Sequence, residues 1–342
     1  MGVNFFVIGY QTGKASAGGG DEFPADRYFE GGYTDIVLPN ATSIKQYAFY
    51  GDKTLEKISI PKATSIGDYA FSDCYPKFKT IEWTDKVTSI GKYAFDDCSY
   101  LSLTELPSGI TSIGQSAFNA CRQIALTKLP SGLTIIEDNA FFGCSNLALE
   151  ELPSGITSIG NHAFIDCPKL KLTKLPSGLT TLKSYAFSKC SNLALTELPS
   201  GLTKIEAYTF NNCYQLALTE LPSGITSIGA YAFNNCYKLA ISKIPEGVKD
   251  IGNYAFCQCT TGLKSIEIPS SVTKINAQAF ANCGSLASVV FKGTPTTIAN
   301  NVFTGSTALT SIKVPWAEGA VANAPWGATN AVITYNYTGE EE

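Results

Sequence analysis

Eleven cysteines are the side chains most able to do chemistry here, and their spacing decides which chemistry is open to them. They stand at Cys74, Cys98, Cys121, Cys144, Cys167, Cys190, Cys213, Cys236, Cys257, Cys259 and Cys283, most of them 23 residues apart. A zinc site or redox pair is signalled by two thiols in a C-x-x-C motif, and the chain contains none. The odd count leaves at least one thiol unpaired within the chain. Single cysteines at a regular interval mark a repeat position, where Cys serves as a small apolar residue filling a narrow slot. Stacked in register they form a line about 5 Å apart, not a tetrahedral cluster. Neither a metal nor a cofactor is expected. Cys257, which stands outside the regular column, is expected to be the more exposed thiol.

Tyrosine offers a second chemistry, recognition, because it joins a broad apolar face to a polar tip. Tyr47, Tyr69 and Tyr93 share one repeat position with Tyr185, Tyr208, Tyr231 and Tyr254; Ser116, Asn139 and His162 occupy it in between. Tyr214 and Tyr237 stand four residues after the repeated Phe, with Asn211, Asn212, Asn234 and Asn235 nearby. The candidate binding residues are Tyr185, Tyr208, Tyr231, Tyr254, Tyr214, Tyr237, Asn212 and Asn235, suited to a sugar chain or a protein hot spot. The plainer alternative is a column of rings packing on one another and on the turn backbone. His162, the one histidine, reads as a surface residue and not a catalyst.

A third column holds Glu105, Lys128, Glu151, Lys174, Glu197, Glu220 and Lys243, whose signs mostly alternate. Stacked unlike charges attract, each exposed pair contributing about 0–1 kcal/mol. This reads as a solvated face. The chain has no G-x-S-x-G, G-x-G-x-x-G, Walker or H-E-x-x-H motif. A residue repeated every 23 positions does not build the single convergent cluster that catalysis requires, so a non-enzymatic protein is expected. Charged residues make up only 16 % of the 342 residues, and the net charge is −4. That balance argues against a nucleic-acid partner, which calls for a basic surface. No apolar run approaches the ~18 residues of a membrane-spanning helix.

These columns all come from one internal repeat. Ile110–Phe118 reads ITSIGQSAF, Ile156–Phe164 reads ITSIGNHAF and Ile225–Phe233 reads ITSIGAYAF. The terminal Phe recurs at Phe49, Phe71, Phe95, Phe118, Phe141, Phe164, Phe187, Phe210, Phe233, Phe256, Phe280 and Phe303, which defines twelve units. Eight of the eleven intervals are 23 residues, and the others are 22, 24 and 24. A unit this short cannot enclose its own apolar groups, but stacked units shield one another. Within a unit the Leu-rich run before Pro predicts a strand that the Pro ends. Ser-Gly then predicts a turn, and the β-branched Thr-x-Ile predicts a second short strand. A stretch such as YAFNNC at 231–236 is expected to form one helical turn. Like strands of successive units are expected to pair in parallel. The fold class expected is an α/β-type repeat solenoid with short parallel strands.

The pattern I-x-x-x-A-F-x-x-C-x-x-L, followed by L-P-x-x-[IV]-T-x-I, resembles the BspA-like leucine-rich repeat family over about four fifths of the chain. The resemblance implies a curved leucine-rich repeat solenoid and a binding or adhesive role on a bacterial surface or in a secreted protein, with related repeats in phage-encoded proteins. It brings no catalytic residues with it. One departure matters: units three to nine read L-x-L-x-x-L-P (Leu101, Leu103, Leu106), whereas the first reads L-x-x-I-x-I-P (Leu55, Ile58, Ile60).

The organisation expected is an N-terminal segment over 1–34, a solenoid over 35–315 and a C-terminal cap with an acidic tail over 316–342. The N-terminal segment holds VNFFVIGY at 3–10 and a linker-like QTGKASAGGG at 11–20. The first piece either caps the stack or pairs with another protein's sheet edge, and it lacks the basic flank of a signal peptide. Two functional readings result. One is a binding or adhesion protein that meets a protein or glycan partner on a host or bacterial surface. The other is a structural subunit of a larger assembly such as a phage virion, anchored through residues 3–10. Location is expected to be extracellular, at the cell surface or in a virion.

Overall fold

The computed structural model describes residues 14–16 and 34–339. The chain winds as a parallel-strand solenoid of about 13 turns of about 23 residues. The described residues fall into two compact units. One runs to Ile156 and includes Ala163–Cys167; the other comprises Thr157–His162 and the chain from Pro168 onward.

The first unit carries β1 (Lys14–Ser16), β2 (Asp35–Val37), β3 (Ser43–Ile44), β4 (Lys57–Ser59), β5 (Ser65–Ile66), β6 (Thr80–Glu82), β7 (Ser89–Ile90), β8 (Ser112–Ile113) and β9 (Ile135–Ile136). The second carries β10 (Ser158–Ile159), β11 (Thr181–Leu182), β12 (Lys204–Ile205), β13 (Ser227–Ile228), β14 (Asp250–Ile251), β15 (Ser265–Ile268), β16 (Lys274–Ile275), β17 (Ser288–Phe291), β18 (Thr297–Ile298), β19 (Ser311–Lys313) and β20 (Val332–Thr334). In the first unit the sheets run β1-β2-β4-β6 and β3-β5-β7-β8; in the second, β12-β13-β14-β16-β18 and β15-β17-β19-β20. All pairing is parallel and in register, as in Ile44 on Ile66, Ile66 on Ile90 and Ile90 on Ile113. Part of the linker-like stretch is thus a strand, since Lys14–Ser16 pairs with Asp35–Val37. Residues 3–10, and with them the expected cap or assembly contact, lie outside the described residues.

The Thr-x-Ile strand forms in every unit, but the strand before Pro does not. It is present at β2, β4 and β6 and again at β15, β17 and β19; over residues 101–106, 124–129, 147–152, 170–175, 193–198 and 216–221 the backbone is irregular. Side-chain parity explains this. In the first unit Ile58 and Ile60 stand nine and eleven residues after Phe49, so both point to one face of a pleated strand, and both are buried. In the third unit Leu103 and Leu106 stand eight and eleven after Phe95, on opposite faces of any strand. The chain abandons the pleat, and Leu103 is then buried with Leu106 half-buried, while in the next repeats Leu126 with Leu129 and Leu149 with Leu152 are all buried. Isolated bonds between turns survive, with the Ala125 amide donating to the Leu103 carbonyl at 2.7 Å and Ala217 to Leu195 at 3.0 Å.

The helical turn expected after the Thr-x-Ile strand is absent, and the described residues contain no helix, so the α/β assignment gives way to an all-strand solenoid with stacked turns. Each turn from Phe49 to Phe280 holds two residues with left-handed backbone, two before and two after the repeat Phe: Tyr208 (φ 59°) and Asn212 (φ 60°), Tyr231 (φ 56°) and Asn235 (φ 60°). A helix cannot continue through such positions. The amides alternate instead. Tyr208, Phe210 and Asn212 donate forward to the carbonyls of Ala230, Ala232 and Asn234, while Asn211 and Cys213 donate back to Tyr208 and Phe210. Every amide from Tyr208 to Cys213 therefore finds a backbone or own-turn partner, as buried backbone must.

The core lies along the stacked rings of the repeat Phe, each fully buried. In the first unit Phe49, Phe71, Phe95, Phe118, Phe141 and Phe164 stack with centroids 5.1–5.6 Å apart and nearly parallel planes. In the second, Phe187, Phe210, Phe233, Phe256, Phe280 and Phe303 do the same at 5.0–5.9 Å. Burying one such ring contributes roughly 1.5–3 kcal/mol. After Phe303 the buried Trp326 comes next, and its carbonyl accepts the Phe303 amide at 3.0 Å.

Candidate functional site

The cysteine column is a column of hydrogen bonds. Nine of the thiols donate to the carbonyl of the repeat Phe one turn earlier, among them Cys74 to Phe49 (2.8 Å), Cys98 to Phe71 (2.9 Å), Cys144 to Phe118 (3.0 Å), Cys213 to Phe187 (3.1 Å) and Cys283 to Phe256 (3.1 Å). The last repeat has Ser306 at the same place, and its hydroxyl makes the same bond to Phe280 at 2.7 Å. All eleven thiols are buried. Cys257, expected to be the more exposed thiol, is the most accessible of the eleven, yet at 4 % it too is buried. Burial pushes these thiols well above their ordinary range, Cys283 to about 12. A thiol held neutral and covered is neither a nucleophile nor a metal ligand.

The tyrosine column is placed on the surface by the turn. In the second unit His162, Tyr185, Tyr208, Tyr231 and Tyr254 form one ladder of near-parallel rings with centroids 4.4–4.7 Å apart. In the first unit Tyr47, Tyr69 and Tyr93 form another, at 5.0 and 4.7 Å. Left-handed backbone costs a bulky residue roughly 1–2 kcal/mol, and stacking, at roughly 0.5–1.5 kcal/mol per pair, offsets that. Burial between neighbouring rings, with those rings' own charge, raises the Tyr208 and Tyr231 hydroxyls above the usual phenol range. The rings lie face to face, so inside a ladder each face is covered and only edges and hydroxyls are presented outward.

The other candidate residues join this surface. Tyr214 and Tyr237 stack at 4.9 Å and are both exposed. The Asn235 amide donates to Asn212 Oδ1 at 2.7 Å, and Asn234 donates to Asn211 Oδ1 at 2.9 Å. The amide ladder ends on the buried Asn235 Oδ1, which has no partner among the described residues. The turn thus gathers all eight candidates onto one side of the second unit, on stacked turns that succeed one another in the same register. Glu105, Lys128, Glu151, Lys174, Glu197, Glu220 and Lys243 are exposed, as a solvated column should be.

The sequence reading placed Tyr47 in its column but did not single out Tyr50, Tyr75 and Tyr100. Tyr47, Tyr50, Tyr75 and Tyr100 are 37–49 % exposed in the first three repeats. Tyr50, Tyr75 and Tyr100 stand one, four and five residues after their Phe, so they form no column and periodicity passes over them. Together with Tyr214 and Tyr237, all six exposed tyrosines among the described residues fall between two before and five after a repeat Phe. The strand edge of each turn shows mostly Thr, Ser and charged residues instead, with hydroxyls such as Thr64, Thr88 and Thr226 bound to carbonyls of the preceding turn.

Parallel in-register strands, a stacked Phe core and a 23-residue period define a leucine-rich repeat solenoid. The chain matches the family described as BspA type leucine rich repeat region over residues 24–148, 149–261 and 226–318, and it belongs to that family. A leucine rich cell surface protein from Faecalibacterium prausnitzii is similar in structure, with a TM-score of 0.58 and 26 % identity over 92 % of this chain and 93 % of that one. A leucine-rich repeat protein from Bacteroides ovatus shares the fold, with a TM-score of 0.60 and 23 % identity over 98 % of this chain and 90 % of that one. The comparison with curated proteins gave no match.

Proposed function

We propose that this is a non-enzymatic binding protein of a cell surface, which meets a protein or glycan partner through the turn face of its repeats. One observation carries the reading: every exposed tyrosine in the described residues lies on that face. Tyrosines in such numbers, at the rim of a rigid scaffold, suit a hot spot because they bring contact area at little entropic cost. The backbone beneath them is fixed by bonds to both neighbouring turns, so little ordering is left for binding to impose. The surface location draws support from the family and from the similarity to a cell surface protein. The covered thiols, and a histidine engaged in stacking on Tyr185, favour recognition over catalysis.

The test is a screen of labelled full-length protein against cell surfaces and glycan arrays, followed by variants. Tyr214→Ser with Tyr237→Ser, or Tyr208→Asn with Tyr231→Asn, is expected to weaken capture about tenfold or more. Thr180→Val with Thr226→Val, on the strand edge, is expected to leave it unchanged. If no turn-face variant alters capture, or if the strand-edge pair does equal harm, the reading is wrong.

A further inference from the structure

The two tyrosine ladders share one backbone position but stand in opposite electrostatic settings. Around the first, residues 46–54, 68–76 and 92–100 hold five carboxylates (Asp52, Asp68, Asp73, Asp96, Asp97) against Lys53 and Lys92. Around the four tyrosines of the second, residues 184–192, 207–215, 230–238 and 253–261 hold no carboxylate and two lysines, Lys189 and Lys238; the His162 repeat, 161–169, adds Asp166 and Lys169. Amides replace the acids there. One fold position has been given two chemistries, which is unnecessary if the ladders serve only to hold the stack.

The acidic ladder also has the more open aromatic surface. Tyr47, Tyr50, Tyr75 and Tyr100 are exposed, with Tyr50 edge-on to Tyr47 at 5.8 Å and Tyr47 continuing into Tyr69 and Tyr93. Asp73 and Asp97 sit in successive turns, the Asp73 amide bonded to the Asp96 carbonyl at 2.7 Å. The protein's own lysine shows what this surface accepts. Lys53 Nζ lies 3.8 Å from the centroid of the Tyr75 ring while it donates to the Asp73 carbonyl at 2.7 Å. An ammonium is held there by a ring face and a carbonyl together, the arrangement that favours cations.

We propose that the turn face of the first three repeats docks a lysine- or arginine-rich segment of a protein partner. This rests on the binding reading above and gives it a partner chemistry. Tyr50, Tyr75 and Tyr100 supply ring surface for the side-chain stems and cations, and Asp73 and Asp97 supply the counter-charge. Asp52 takes no part, since its carboxylate accepts from the Thr54 and Leu55 amides. The turns of Tyr185, Tyr208, Tyr231 and Tyr254, whose windows hold no acid, are not part of this surface.

The probe is a fluorescent nona-arginine peptide, with a Gly-Ser peptide of equal length as control, titrated into the full-length protein by fluorescence anisotropy. Binding of the arginine peptide is expected, weakening as salt rises. Asp73→Asn with Asp97→Asn removes two charges at left-handed positions that Asn tolerates, and is expected to weaken binding about tenfold. Tyr75→Ser with Tyr100→Ser is expected to act in the same direction. Glu105→Gln with Glu151→Gln removes the same charge from the solvated column and is expected to leave binding within about twofold. Absence of arginine-peptide binding, or equal loss in the Glu105/Glu151 pair, overturns the proposal. If the peptide fails while the Tyr214/Tyr237 variant still loses cell or glycan capture, only this inference falls and the general reading stands.

Discussion

The sulfhydryl of Cys121 donates to the carbonyl of Phe95, one turn earlier, at 2.9 Å. That carbonyl also accepts the Cys98 amide of its own turn at 3.1 Å, so the Phe95 oxygen is used twice and the Cys121 thiol joins two turns. The repeat position is filled by a buried group that must both donate and fit. Ser306 meets the same demand at the end of the column.

Stability is expected to fall with alkalinity because of this column. Burial holds the folded thiols neutral, with Cys283 pushed up to about 12, whereas an unfolded thiol ionises near 8.5. The unfolded chain therefore binds fewer protons above that point, and each thiol then favours unfolding by about 1.4 kcal/mol per pH unit. The stabilising contribution is fully present below about pH 8.5 and is lost progressively as pH rises toward the folded value. Urea unfolding between pH 7 and 10 should show a plateau followed by a steep decline. A flat profile across that range would contradict the assignment.

Substitutions at Tyr208 are expected to separate backbone strain from ring stacking. Tyr208→Asn gives up two stacked neighbours at 4.4 and 4.6 Å but suits φ of 59° far better, so the net loss should be about 1 kcal/mol. Tyr208→Val loses the same stacking and puts a β-branched residue in the left-handed region, with an expected loss above about 3 kcal/mol. Denaturant midpoints measure both. Equal losses would mean that the left-handed backbone imposes no such demand.

The missing strand can be restored by design. In the third unit, Leu103→Thr with Thr104→Ile moves the inward side chain from eight to nine residues after Phe95 and matches it to Leu106. β6 then gains a neighbour of the right parity. Slowed amide exchange at residues 103–105 is expected, with stability within about 1.5 kcal/mol of the parent, as for an apolar exchange that keeps overall volume. Exchange rates as fast as before would show that something other than side-chain parity dissolves the pleat.

The period, the Phe core and the Thr-x-Ile strand were legible in the residues because each is a strict column whose side chain has one place to go. The difference between Ile58/Ile60 and Leu103/Leu106 was visible too, but its effect depends on pleat parity rather than composition, and a Leu-rich run before Pro reads as a strand either way. The turn was misjudged for a related reason. Tyr at a left-handed position gives no local signal, since Gly or Asn would announce it and Tyr does not. The candidate residues of the second unit were readable as columns. Tyr50, Tyr75 and Tyr100 were not, because their exposure depends on three different offsets along the turn.

Because the amides of Phe280 and its equivalents are handed forward, to Val302 and the carbonyls that correspond to it, a stack of this kind cannot simply break off. Its final turn would be left with a buried donor and nobody to receive it. Trp326 lends the closing carbonyl to Phe303 from a stretch that does not follow the repeat. Whole turns can therefore be inserted or removed upstream while this one closing arrangement stays untouched, which frees the length of the stack to vary independently of how it is sealed.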